Sequence, residues 1–227
     1  MSKIRFVCAS RLSHEDFHSR TALGRSLGLF RSPHIELALY ENNRQGLSAI
    51  YNHALERSAI DPAVLIFIHD DVFLCDFFWP GHLLQALKAF DIVGVAGNVR
   101  RIPGQPAWCF IDQGLHWDSA EHLSGTVAQG NSFAPARLSH FGPTGRQVKL
   151  LDGLFLATRS ETLVSRGIRF DETFDFHFYD MDLCRQAEER GLRMGTWGIS
   201  VIHESGGAFG TPAWRDGCVK YFEKWKT

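Results

Sequence analysis

Two spacings of apolar residues alternate along the first hundred positions. Residues 4–9 (Ile-Arg-Phe-Val-Cys-Ala) form a short, nearly continuous apolar run that reads as a buried strand ending at Ser10. A polar stretch then leads into a helix expected over residues 21–29. Residues 35–40 alternate with period two and end at the turn-forming pair Asn42-Asn43, so they read as a second strand. Between residues 46 and 58, Leu47, Ile50, Tyr51, Ala54 and Leu55 recur at helical spacing. Residues 64–68 (Val-Leu-Ile-Phe-Ile) suit a strand covered on both faces, and this run stops at His69-Asp70-Asp71. A helix over 83–90 and a buried strand over 92–96 follow. This alternation predicts an α/β protein with a mostly parallel central sheet, helices on both faces and right-handed crossovers.

Between residues 103 and 147 the periodicity is lost. The segment carries Trp108, Trp117, Phe133 and Phe141 among glycines and prolines. A loop of this length in a compact fold is either functional or contains short strands. Order returns over 148–157, a strand broken at Asp152-Gly153, after which Ser160 is expected to cap a short helix with Glu161 in its first turn. An aromatic, acidic loop over 170–178 leads to a helix over 179–190 that Gly191 terminates. A strand over 192–202 ends at His203, and residues 213–225 read as a closing helix. With no repeats and no linker-like tract, a single domain over residues 1–227 is expected.

Composition narrows the ligands. The 24 Lys and Arg nearly balance the 25 Asp and Glu, giving a formal net charge of -1, so no basic field exists to hold a long polyanion and no nucleic-acid partner is expected. The five cysteines are scattered without a CxxC pair, which argues against a disulfide scaffold and a cysteine-rich zinc site. The opening residues run straight into a strand, and the longest apolar runs are far too short to span a bilayer. A cytoplasmic protein with no leader and no transmembrane segment is expected, with docking at the inner membrane surface left open.

Ligands of open α/β sheets bind beyond the carboxyl ends of the strands, and three candidate clusters fall there. Asp70-Asp71 follows the third strand and offers hard oxygen ligands for Mg²⁺ or Mn²⁺; the plainer reading is a pair that caps a turn. Asp180 and Asp182 open the helix that begins at 179 and cannot share a face two residues apart. Either is a candidate general base, against the plainer reading of charges that favour a helix N-terminus. His203, after Val201-Ile202 and before Glu204-Ser205-Gly206-Gly207, is a candidate third metal ligand or phosphate contact.

In combination, four segments resemble the GT-A glycosyltransferases, specifically the family-two-like inverting group and its streptomycin-biosynthesis-type branch. They are the stretch from Asn43 to Asn52, His69-Asp70-Asp71-Val72, Leu151-Asp152-Gly153-Leu154-Phe155, and Phe178-Tyr179-Asp180-Met181-Asp182-Leu183. The resemblance implies a single GT-A-like domain, with roughly residues 1–100 as the nucleotide-sugar half and 101–227 as the acceptor and catalytic half. It implies transfer from a UDP-, GDP- or dTDP-sugar to a hydroxyl acceptor such as a glycan or small glycoside, in polysaccharide or glycoconjugate biosynthesis, with Mn²⁺ or Mg²⁺ as cofactor. By position it makes Asp70, Asp71 and His203 metal ligands and Asp180 the base. It places Glu41, Asn43, Gly46, Asn52, Asp70, Asp152 and Gly153 around the nucleotide and sugar. The aromatic residues Trp108, Trp117 and Trp214 are available to stack on sugar faces or simply to pack.

This chain departs from the pattern in two places. Where many relatives have Glu-Asp it has Tyr179-Asp180, which keeps Asp182 open as a rival base. The metal motif is contiguous rather than a spaced Asp-x-Asp, which opens its first position to His69. Three other readings stay open: a GT-A-like module that binds nucleotide or carbohydrate without catalysis, a metal-assisted phosphate-ester hydrolase, for which a second metal set is lacking, and, last, a structural or interaction role.

Overall fold

A computed structural model describes residues 3–131 and 137–227; Phe133 lies outside them. Strands β1 (Ile4–Ala9), β2 (Ile35–Tyr40) and β3 (Val64–Ile68) lie parallel in the order β2-β1-β3. The register pairs Ala9 with Tyr40 and Val7 with Phe67. Ser10, Glu41 and Asp70 therefore leave the sheet at the same, carboxyl end. The apolar runs behind these strands are buried as their composition requires, with Phe6, Phe67 and Ile68 fully inaccessible.

Beyond β3 the sheet is mixed rather than mostly parallel. Its order continues through β11 (Phe155–Arg159), β5 (Ile92–Gly94), β12 (Met194–Thr196) and β9 (Gln147–Val148). Strand β11 runs antiparallel to both of its neighbours, and β12 runs parallel to β5 and antiparallel to β9. The reversal comes from the break at Asp152-Gly153, where the chain turns at the end of β3 and runs back along it.

A second, six-stranded sheet accounts for the stretch without periodicity. Its order is β10 (Leu150–Leu151), β6 (Ala96–Asn98), β7 (Leu123–Gln129), β13 (Val201–His203) and β4 (Val72–Leu74), and β8 (Arg137–Gly142) pairs with β7. The apolar run 92–96 is thus divided between two sheets. Gly97 permits the crossing: a Cβ there would sit 2.3 Å from the Leu150 carbonyl oxygen. The expected strand over 192–202 is likewise two strands, one in each sheet.

Helices α1 (His14–Arg20), α2 (Ala22–Leu27), α3 (Leu47–Ile60), α4 (Trp79–Ala89), α5 (Ser160–Ser165), α6 (Tyr179–Glu189) and α7 (Pro212–Trp225) flank the sheets. The polar stretch before residue 21 is itself helical, capped by Ser13, whose hydroxyl accepts from the Asp16 amide. Thr21 ends that helix and caps the next. Ser160 is not a cap. Arg159 holds the cap position, and the Ser160 hydroxyl instead accepts from the Ala63 amide at 3.1 Å, joining β11 to the start of β3. Gly191 adopts φ +69°, as a residue just past a helix end should. Among the described residues no helix is long and apolar enough to cross a membrane.

Candidate functional site

His69 and Asp71 enter the site from the turn between β3 and β4, and His203 enters from the end of β13. Strand pairing brings them together, since β4 and β13 are antiparallel with Val72 opposite His203. The ligand-capable atoms of His69, Asp71 and His203 lie within 4.8 Å of one another. Asp71 Oδ2 is 3.3 Å from His203 Nε2, while Asp71 Oδ1 is buried with no hydrogen-bond partner.

Burial works against a charge on Asp71, but the His203 hydrogen bond and charge overcome it and hold the carboxyl at about 2. Burial likewise opposes protonation of His203, and Asp71 reverses the outcome, raising the imidazole above its ordinary value. His69 goes the other way: burial lowers it despite the nearby carboxylates. Its Nε2 lies 2.7 Å from the Tyr179 hydroxyl, and that hydroxyl donates to the Gly153 carbonyl at 2.9 Å. With the tyrosine proton so committed, His69 Nε2 is the N–H donor and Nδ1 keeps the free lone pair.

An orphaned buried carboxylate oxygen and two imidazoles, one neutral and one paired to that carboxylate, form a donor set that fits a divalent cation. Asp70 is differently placed. Its Oδ2 accepts from the Ser10 hydroxyl at 2.6 Å, and burial raises its carboxyl. The cluster therefore contains His69 where the sequence put Asp70.

Asp180 approaches from α6. Phe178, the residue before that helix, is held in the left-handed region at φ +67°, an uncommon conformation for a bulky residue. It packs on Trp214 and Tyr221 of α7 with ring centroids 5.5 and 5.4 Å away. The backbone then turns so that Asp180 Oδ2 accepts from the Gly153 amide at 3.0 Å and Oδ1 from the Met181 amide at 2.8 Å. Burial, helped by the charge of Asp152, raises this carboxyl to about 7 despite those two donors. A carboxylate near neutrality in a cleft can accept a proton at physiological pH.

Gly153 sits in a position that only glycine fits. A Cβ there would lie 2.3 Å from the Tyr179 hydroxyl oxygen and 3.1 Å from Asp180 Cβ. Gly153→Ala is therefore expected to destabilise the fold by about 1–3 kcal/mol through overpacking, and to displace both Tyr179 and Asp180. Denaturant unfolding together with donor-independent metal titration checks this, and an unchanged midpoint with unchanged metal affinity would contradict it.

These groups line one cavity of about 380 Å³, together with Asp70, Asp152 and an aromatic wall that includes Trp108, Phe110, Trp117, Phe141 and Phe209. The remaining residues singled out in the sequence lie elsewhere. Glu41 is exposed and accepts from the His14 amide. Asn43 closes a local turn with Gln45, and its own amide donates to the Ser10 carbonyl. Gly46 packs against Asp175, where a Cβ would meet the Asp175 carboxylate at 2.6 Å. Asn52 is buried and clamps the backbone of Phe170 through both ends of its amide.

Asp182 turns away from the cavity and is fully buried. It accepts from Lys224 at 2.6 Å, the Trp225 indole at 2.8 Å and Gln186 at 2.8 Å, tying α6 to α7. Asp182→Ala removes the buried acceptor of the Trp225 indole and the Gln186 amide and one of two carboxylates on the partly exposed Lys224 ammonium, which keeps Asp171 at 2.7 Å. It is expected to cost about 1–3 kcal/mol of stability, measurable by denaturant unfolding. A loss under 1 kcal/mol would contradict the tether. The two aspartates of α6 thus separate by helical phase, one facing the cavity and one the packed helix.

Two organising residues escaped the sequence reading: Tyr179, seen only as a departure, and Ser10, the residue at the end of β1. The strand-end rule that picked out Asp70 applies equally to Ser10.

A family model described as "Glycosyltransferase like family" matches residues 31–209, which includes both strands of the metal cluster and the whole of the Asp152-Gly153 and Tyr179-Asp180 segments. No curated protein matches the chain in sequence. Among solved structures, GalNAc-T7 in complex with UDP, GalNAc and Mn²⁺ is similar with TM-score 0.57 and 12% identity over 100% of this chain. This chain spans 50% of that protein's length. The protein A197 from STIV aligns over 92% of this chain and 96% of its own, at 12% identity and TM-score 0.46. With a family match over 31–209 and a GT-A neighbour in fold, the chain belongs to the glycosyltransferase-like family.

Proposed function

We propose that this protein transfers a sugar from a nucleoside-diphosphate donor to a hydroxyl acceptor with inversion at the anomeric carbon, using a divalent metal. The observation that carries the reading is Asp180, a carboxyl raised to about 7 that shares a cavity with the His69, Asp71 and His203 cluster. The fold neighbour solved with UDP, GalNAc and Mn²⁺ supports the same class of donor and metal.

His69, Asp71 and His203 would hold the metal. Two imidazoles and one carboxylate favour Mn²⁺ over Mg²⁺, which prefers all-oxygen surroundings. A bound divalent cation supplies charge neutralisation for the departing diphosphate. The chain's residues do the rest. Asp180 Oδ takes the proton of the acceptor hydroxyl as its oxygen forms the new bond to the anomeric carbon. The bond from that carbon to the diphosphate breaks on the opposite face, and its electron pair leaves with the diphosphate. Attack from the face opposite the departing diphosphate inverts the anomeric centre.

Asp70 faces the donor sugar in this reading, and Asp152 and Gly153 face both that sugar and the acceptor. The loop of Glu41 and Asn43, joined by backbone hydrogen bonds to the segment after β1, forms the nucleotide side. Gly46 and Asn52 support it through their packing on the 170–175 loop. The first hundred residues then serve the nucleotide and the remainder the acceptor.

Proton NMR of the first-formed glycoside tests the stereochemical part. An anomeric configuration opposite to the donor's is expected, and retention would remove Asp180 from the role of base. Turnover that rises on adding acceptor separates a transferase from a hydrolase.

A further inference from the structure

We propose that the aromatic wall of the cavity is the acceptor subsite and that it takes a pyranose ring, stacked on the open face of Trp117. The inference rests on the transfer reading above and specifies its acceptor.

Trp108, Trp117 and Trp214 differ sharply in the fold. Trp108 and Trp214 are 5% and 3% exposed and act as packing, whereas Trp117 is 53% exposed while lining the cavity. Its indole is held from several sides. Phe141 lies nearly parallel to it, with ring centroids 5.8 Å apart at 15°. Phe110 and Trp108 meet it edge-on at 5.2 and 6.3 Å. The backbone is fixed as well: Phe110 and Trp117 form a β-bridge, and the Asp118 amide donates to the Cys109 carbonyl at 2.8 Å. The buried Asp118 carboxylate beside it is anchored by Arg100 at 2.5 Å and Asn98 at 2.8 Å.

A large aromatic surface left half in water, yet braced by three other rings and beside a carboxylate anchored in the core, is a preorganised platform rather than a loose surface side chain. The same cavity presents carboxylates at Asp152 and Asp180. An acyl chain would cover the rings and strand those acceptors, and a strongly charged ligand would strand the rings. A pyranose offers both an apolar C–H face for the indole and hydroxyls for the carboxylates, so it matches the whole surface.

Isothermal titration calorimetry with a panel of methyl pyranosides and short oligosaccharides tests this, on protein already holding a nucleoside diphosphate and Mn²⁺. Trp117→Leu keeps apolar bulk over Phe141 but removes the ring face, and Trp117→Phe restores a smaller one. A saccharide that binds wild type is expected to bind Trp117→Leu about tenfold or more weakly, to recover in part in Trp117→Phe, and to leave nucleotide–metal affinity unchanged in both. Equal saccharide affinity in wild type and Trp117→Leu would overturn the proposal, as would the absence of any saccharide signal on nucleotide-loaded wild type. Failure of the nucleotide and metal to bind at all would instead defeat the transfer reading beneath it. If Trp117→Leu unfolds, Trp117→Phe alone decides, since a subsite built on the indole face predicts measurable weakening there too.

Discussion

Asp180→Asn is expected to lower kcat by roughly a hundred to ten thousandfold, the range for loss of a general base, while leaving metal-dependent donor binding in place. The asparagine keeps an oxygen that can accept from one of the two backbone amides now bonded to the carboxylate, from Gly153 and Met181. What it cannot do is take a proton. The pH profile gives an independent check. With its carboxyl raised to about 7, Asp180 is protonated and inactive below that pH, so turnover should rise as pH increases through about 7 and then level.

The same shift has a stability consequence of opposite sense. Between about pH 4 and pH 7 the folded protein holds a proton on Asp180 that the unfolded chain has released. Its contribution to stability is therefore complete below pH 4 and is lost as pH rises to about 7. The protein becomes more active as this one group becomes less favourable to the fold. A kcat–pH profile that is flat from 6 to 8 would contradict the assignment.

The second large effect is expected at Asp71. Asp71→Ala removes the carboxylate at the centre of the cluster, including the buried oxygen that has no partner in the protein. Metal affinity should fall by at least a hundredfold, and nucleotide binding should lose its dependence on metal. Affinity in the unmutated protein should also depend on pH. Without metal, the Asp71 carboxylate raises the His203 imidazole above its ordinary value, so a cation competes with a proton there. Mn²⁺ affinity is then expected to strengthen as pH rises through the raised value of His203. Calorimetry at several pH values measures both effects, and Asp71→Ala with unaltered Mn²⁺ affinity would place the metal elsewhere.

How much of this was legible in the sequence depended on the kind of residue. The parallel part of the first sheet was readable because β1, β2, β3 and α3 carry their periodicity in contiguous residues, whereas the antiparallel course of β11 was not. The strand-end rule then located Asp70-Asp71 and His203. The second sheet was not readable, since its strands are short and scattered and three of them, β6, β10 and β13, share apolar runs with strands of the first. Val95 lies between β5 and β6, where the run 92–96 changes sheets, and no local signal marks that change. The choice between Asp180 and Asp182 was open for the same reason. Helical spacing says the two face differently, but only the Lys224 and Trp225 contacts from the far end of the chain show which way. His69 needed Tyr179 to be recognised as more than a turn residue, and 110 positions separate the two. Of the three tryptophans, sequence could not tell a packed ring from an open one.

The most direct test of the account is a calorimetric titration of UDP, GDP, CDP and dTDP, each with and without Mn²⁺, into wild-type protein and Asp71→Ala. The account predicts that one nucleoside diphosphate binds wild type only when Mn²⁺ is present and that this dependence disappears in Asp71→Ala. Folded wild-type protein that binds none of them, or that binds one equally well with and without Mn²⁺, would contradict the assignment of this cavity to metal-dependent sugar transfer.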